Sequence, residues 1–234
     1  MTAKQDNAPG KVEQGGQRPA SKARSHGRPR TFDRDKALET ALRIFWQLGY
    51  EPASVASICS AIGINPPSFY SAFGSKEELF MEAVRYYEKT YWTGVLKSFE
   101  SSKRPISQAV ADFFKEAARI LLNPKNPSGC MVVLAAVNIS PKEKNIAAQV
   151  KDLRMDTRNF FARRLERARA EGELAAEADI AALADSLNIF LEGMSIQAKD
   201  GLPLAHLLKA ADLVPLILAP YVLEDSSKRA QPLA

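Results

Sequence analysis

From Asp33 onward apolar residues recur every three or four positions, and no stretch of useful length alternates with the two-residue period of a half-buried strand. Ala37, Leu38, Ala41, Ile44, Phe45 and Leu48 form one face of a first helix, and Gly49 follows as a residue suited to a left-handed cap. Ser54 then opens a short second helix over residues 55–62, which Gly63 closes. Asn65 is the N-cap of a third helix with Pro66 and Pro67 in its first turn. Proline is tolerated there because first-turn amides have no intrahelical acceptor. Ser75, with Glu78 three residues on, forms a capping box for a fourth helix reaching about Phe99. Further helical periods cover residues 105–122, 130–138, 141–171, 178–199 and 203–219, with breaks at 123–128 and 140. The pattern predicts an all-α protein of about nine helices, in which three short helices precede a larger helical body.

A short helix, a glycine turn and a second short helix are the layout of a DNA-binding helix-turn-helix. Ile58, Ile62, Ile64 and Phe69 are the apolar positions that wedge the two helices together, Cys59 is the small side chain where they cross, and Gly63 permits positive φ. Residues 54–80, SVASICSAIGINPPSFYSAFGSKEELF, resemble the tetracycline-repressor (TetR) family of bacterial regulators throughout. The resemblance is carried by Phe45, Gly49, Ser54, Ile58, Gly63, Ile64, Tyr70, Phe73, Lys76 and Leu79, and it covers residues 32–80. Cys59 departs from the family's usual alanine. The rest of the chain is similar to the family in being helical, and residues 172–193 resemble its dimerisation region.

Composition and pattern set off a basic arm (1–30), longer than the family minimum, and a polar, frayed tail (223–234); between them the resemblance implies a helix-turn-helix unit (31–80) and a helical ligand-binding and dimerisation domain (81–222). It also implies a ligand-responsive repressor that binds double-stranded operator DNA as a homodimer. On the third helix, Asn65, Pro66, Pro67, Ser68 and Ser71 would face base edges: an Asn amide suits adenine, a Ser hydroxyl several bases, and proline carbons a thymine methyl. By resemblance Tyr70 and Lys76 anchor phosphates, and Ser54 with the first amides of the second helix offers a third phosphate contact. Phe69 and Phe73 read as core.

Composition changes the picture in one place. Apolar and charged fractions, 46% and 25%, are those of an ordinary globular chain. Residues 1–30, however, hold seven Lys and Arg against Asp6 and Glu13, so the whole net charge of +5 lies in this Gly- and Pro-rich segment. A neutral body behind a basic arm fits a domain that sends a flexible tail to a polyanion. Within the arm, GRPR is similar to the core of minor-groove AT-hook peptides, with Arg28 and Arg30 held extended by Pro29; a generic phosphate-binding arm fits equally well. No segment reads as a membrane span or a signal peptide, so the expectation is a cytoplasmic protein.

Enzyme chemistry finds little support. His26 and His206 lack partners, Cys59 and Cys130 lie too far apart in sequence for a metal motif, and no phosphate-cradling glycine loop is present, so neither a metal nor a cofactor is expected. An all-helical enzyme and an architectural DNA binder without a ligand are the competing readings. For an effector site the aromatic set Tyr87, Tyr91, Trp92, Phe113, Phe114, Met131 and Phe160 supplies candidate lining, each also suited to plain core. Residues 151–169 carry seven cations, readable as a solvated helix face or as an anion site, and Cys130 as a buried thiol or a sensor. The last two long helices are too apolar for water: Leu183, Leu187, Phe190, Leu191 and Met194, with Leu204, Leu207, Leu208, Leu213 and Leu216, point to a four-helix interface between two copies.

Overall fold

Residues 32–223, except Asn138, are described by a computed structural model. The first four helices begin where side chains cap them. Asp33 accepts from the Asp35 and Lys36 amides to start α1 (Arg34–Leu48). Ser54 caps α2 (Val55–Ile62), Asn65 caps α3 (Pro66–Phe73) and Ser75 caps α4 (Lys76–Tyr87), each through a side-chain oxygen on the amide three residues on. The body continues with α5 (Thr93–Ser101), α6 (Ile106–Leu121), the single turn α7 (Met131–Leu134), α8 (Lys144–Ala170), α9 (Ile180–Lys199) and α10 (Leu204–Leu213). Nine of these ten exceed one turn, and no strand is formed among the described residues; Leu174 and Val222 make an isolated bridge.

Three boundaries differ from the sequence expectation, each for a local reason. The fourth helix does not run unbroken to Phe99: a π-helical turn, Glu88–Trp92, separates α4 from α5, with the Thr93 amide bonded five residues back to the Glu88 carbonyl. The 130–138 segment is helical only to Leu134, because the next carbonyl, Ala135, accepts from the Tyr50 amide at 2.8 Å. The final segment stops at Leu213, where Pro215 lacks the amide needed to go on and a 3₁₀ turn, Val214–Ile217, follows. The window Leu204–Tyr221 has spanning length and a mean hydropathy of 1.3, which the sequence reading did not anticipate. The break at Leu213 divides it, and Asp212 within it pairs with Lys115 at 2.6 Å.

The core runs without interruption from the first helices into the body. Phe45 and Phe80 meet edge to face, Trp46 does the same with Tyr87, and Arg34 grips Glu82 through both guanidinium ends at 2.6 and 2.7 Å, fixing α1 on α4. The closest tie is one peptide unit. The Gly129 carbonyl accepts from Trp46 Nε1 at 2.8 Å, and the amide of the same peptide, Cys130 N–H, donates to Ser195 Oγ at 2.7 Å. Glycine is required there: φ is +83°, and an added Cβ would lie 2.8 Å from the Ser195 carbonyl.

The interface residues expected on α9 divide differently. Leu183, Leu187, Leu191 and Met194, with Leu207, are buried in the chain's own core because that face of α9 packs on α6 and α8. Its outward apolar residues are Ile189 and Ile196, joined by Leu213 at the end of α10 and Leu216 in the 3₁₀ turn; the first, third and fourth are more than 60% exposed.

Ser195→Ala leaves the buried Cys130 amide without its acceptor. It should cost about 1–3 kcal/mol of stability in urea unfolding with an unchanged m-value.

Candidate functional site

Asn65 ends the glycine turn in extended conformation, and its Oδ1 accepts from the Ser68 amide at 2.9 Å. The capping bond leaves the amide Nδ2 as its free donor. Gly63, at φ +77°, closes α2 in the left-handed region, and the amides of Gly63 and Ile64 both return to the Cys59 carbonyl. α2 and α3 are thereby held against each other with Ile58 and Phe69 fully buried and Ile62 and Ile64 at the edge. The opposite side of α3 is open: Asn65, Pro66, Pro67, Tyr70 and Ser71 are exposed and Ser68 is half-buried. The structure thus collects on one surface the base-reading candidates chosen from sequence, while Phe69 and Phe73 turn inward.

Around that surface lie the anchoring candidates. Tyr70 is 53% exposed, its ring edge against Phe69. Ser54 spends its Oγ on the Ser57 amide, so its contribution to an anion would come through the backbone amides of α2. Lys76 is half-buried, its ammonium 4.2 Å from the Tyr50 ring centroid and 3.2 Å from the Glu51 carbonyl. Burial lowers its pKa against the opposing pull of Glu143 and Glu51. One of its three donors is used, so two remain for a phosphate. Arg28 and Arg30 lie outside the described residues.

Lys76 also belongs to a polar seam that joins the first helices to the start of α8. Tyr50 donates its hydroxyl to Glu143 at 3.1 Å, and burial first, then that bond, raises its pKa. Glu51 accepts from the Ser140 amide, which holds its carboxyl below the usual range.

Glu88, Trp92, Leu96, Phe113, Cys130, Val132, Val133, Arg154, Thr157, Asn188, Leu191 and Glu192 line a partly open cavity of about 50 Å³. Of the aromatic candidates named from sequence, Trp92 and Phe113 line it. Tyr87 stands one layer behind, its hydroxyl accepting from Trp92 Nε1 at 2.8 Å and engaging the Cys130 thiol. Phe114, Met131 and Phe160 do not line the cavity: Phe114 stacks on Phe161, Phe160 joins Phe99 and Phe113, and Met131 is fully buried. Tyr91 lines a separate open groove beside α6 and bonds to Asn126.

The cavity's polar lining was not read from the sequence. Desolvation, with Asp156 nearby, raises the Glu88 carboxyl, and Glu192 accepts from Asn188 at 3.1 Å. Burial pushes the Cys130 thiol up, away from thiolate chemistry. Among the described residues no group of three His, Cys, Asp or Glu comes close enough to hold a metal ion.

A helical pair that buries one face and presents Asn, Pro, Ser and Tyr on the other, carried on an all-helical body, defines a helix-turn-helix DNA-binding regulator. The chain belongs to the TetR family. Residues 37–83 match the family described as bacterial regulatory proteins, tetR family, and residues 107–208 match the tetracyclin repressor-like C-terminal domain. The chain is 32% identical over 188 residues to the HTH-type transcriptional repressor ComR of Escherichia coli strain K12, covering 80% of this chain and 90% of that one. It is 30% identical over 189 residues to the repressor BdcR of the same strain, covering 81% and 90%. Among solved structures, a cysteine mutant of the TetR family regulator CifR in complex with 26-base-pair operator DNA is 36% identical, with a TM-score of 0.77 over 81% of this chain and 98% of that one.

Asn65→Asp keeps an oxygen for the cap and should leave stability within about 0.5 kcal/mol, whereas Asn65→Ala should lose about 1 kcal/mol, both read by urea denaturation.

Proposed function

We propose that this regulator is a ligand-responsive repressor that binds a pseudo-palindromic operator as a homodimer. The observation that carries the reading is the outward face of α3, where Asn65, Pro66, Pro67, Ser68 and Ser71 share an accessible surface beside Tyr70. The side chains offered to base edges are short and uncharged, and Asn, Ser and apolar carbons are among the groups that read bases directly in the major groove. Tyr70, Lys76 and the amides after Ser54 flank them as phosphate anchors, and the arm with Arg28 and Arg30 adds sequence-independent attraction. The chain is then split into arm, DNA-binding unit and effector body, as the separate matches at 37–83 and 107–208 support. Repression is the role named for ComR and BdcR, and operator DNA is the partner named for CifR.

Dimer formation is supported by Ile189, Ile196, Leu213 and Leu216, which lie exposed on and just beyond α9 and α10. The effector site is the cavity lined by Trp92, Phe113 and Glu88, whose π-helical wall is continuous with α4. An effector that enlarges this cavity would bias α4 and so the separation of the two reading helices. The protein works by binding, in the cytoplasm where its DNA lies.

Titration of the chain's own promoter DNA against random DNA at several salt concentrations tests the reading. Promoter DNA should bind at least about 10³-fold more tightly. Equal binding at moderate salt would leave an architectural binder instead. Deleting residues 1–30 should flatten the salt slope by about 0.9 for each of up to seven cations removed from phosphates. Replacing both Ile189 and Leu216 by Glu should convert the dimer to a monomer in sedimentation equilibrium.

A further inference from the structure

The C-terminal half of α8 carries more buried donors than the protein supplies acceptors. The Arg164 side chain is 1% exposed and carries a fixed charge. Its Nη2 meets Glu173 Oε1 and the Arg104 carbonyl, each at 3.3 Å, while Nε and Nη1 are buried with no protein acceptor. Arg167, one turn on, donates from Nη1 to the Glu100 carbonyl and from Nη2 to the Ser102 carbonyl. Its Nε is likewise buried and unpaired, with the Glu171 carboxylate 3.8 Å away, beyond hydrogen-bond length.

Arg164 and Arg167 line a recess of about 280 Å³ between the α5–α6 connection and the end of α8, together with Ser101, Ser102, Lys103, Glu171 and Glu173. The two carboxylates do not neutralise it. Glu173 is committed to Arg164 and to the Ile106 amide at the start of α6, and Glu171 is mostly exposed. Three cations therefore face one committed carboxylate and one solvated one. A fixed buried charge with unfilled N–H directions favours an acceptor with several oxygens, and planar guanidinium forks match a phosphoryl group in particular.

We propose that this recess binds a phosphoryl group, as inorganic phosphate or the head of a small phosphate monoester. Arg164 and Arg167 supply the buried donors, Lys103 a mobile charge and Ser101 or Ser102 a hydroxyl. The recess is larger than phosphate alone requires, so a short organic substituent fits beside it. The site is separate from the Glu88 cavity and from the α3 surface, and it does not depend on the effector reading.

Calorimetry on the full chain without DNA tests the site, with inorganic phosphate in one arm and glycerol 3-phosphate in the other at constant ionic strength in chloride. Saturable binding of one equivalent per chain is expected in at least one arm, and the tighter arm identifies the ligand as the free ion or the monoester. Lys103→Ala, at an exposed position, and Arg167→Lys should each weaken binding by about 10-fold or more, while Lys76→Ala on the DNA-reading side should leave it unchanged. Thermal melts without ligand check that each variant is folded. Absence of saturable binding in both arms, or loss in Lys76→Ala with none in Lys103→Ala, overturns the proposal.

Discussion

The fold turns on one peptide plane. A trans peptide directs its carbonyl and its amide to opposite sides, and the Gly129–Cys130 unit uses that rigidity to hold Trp46 of α1 on one side and Ser195 of α9 on the other. The first helix of the DNA-reading half and the helix that carries the outward apolar face are thus two bonds from a common point. Cys130, which supplies the amide, also walls the internal cavity and touches Tyr87, which packs on Trp46. No long relay is needed to connect the three regions, because they share a residue pair. The backbone there is crowded, with no room beside Gly129 for even one added carbon.

The proposed function separates attraction from reading. The α3 surface bears no cation of its own; Lys76 rests on an aromatic ring and a backbone carbonyl, and Arg34, which reaches the Ala72 carbonyl, is paired with Glu82. A strongly basic α3 would hold any duplex through its phosphates. In the proposed reading, leaving long-range charge to residues 1–30 would keep the α3 surface dependent on hydrogen-bond geometry and shape.

The elements legible in the sequence are those fixed by neighbours along the chain. Ser54, Asn65 and Ser75 all form their expected caps, since each bond spans three residues and depends on nothing distant. What escaped depends on partners far away in sequence. The early end of α7 follows from Tyr50 taking the Ala135 carbonyl, and Glu88 joins the Asn188–Glu192 pair of α9 only because separate elements pack together. α9 is apolar on most of its surface, so periodicity cannot say which side faces its own chain; Leu187 and Ile189 look alike until α6 and α8 cover one of them. The cations of α8 were visible as a run, but only packing distinguishes buried Arg164 from its exposed neighbour Arg163.

The π-helical turn between α4 and α5 is a register insertion. Residues five apart in an α-helix point some 140° away from each other, yet here Tyr87 and Trp92 are hydrogen-bonded at 2.8 Å, which the wider turn makes possible. Expelling the extra residue would restore α-helical bonding, break that pair and turn everything beyond it by roughly 100° about the helix axis. The π turn therefore sets the rotation of α5 about the axis of α4 by one residue, and with it the placing of Glu88 and Trp92 on the cavity wall.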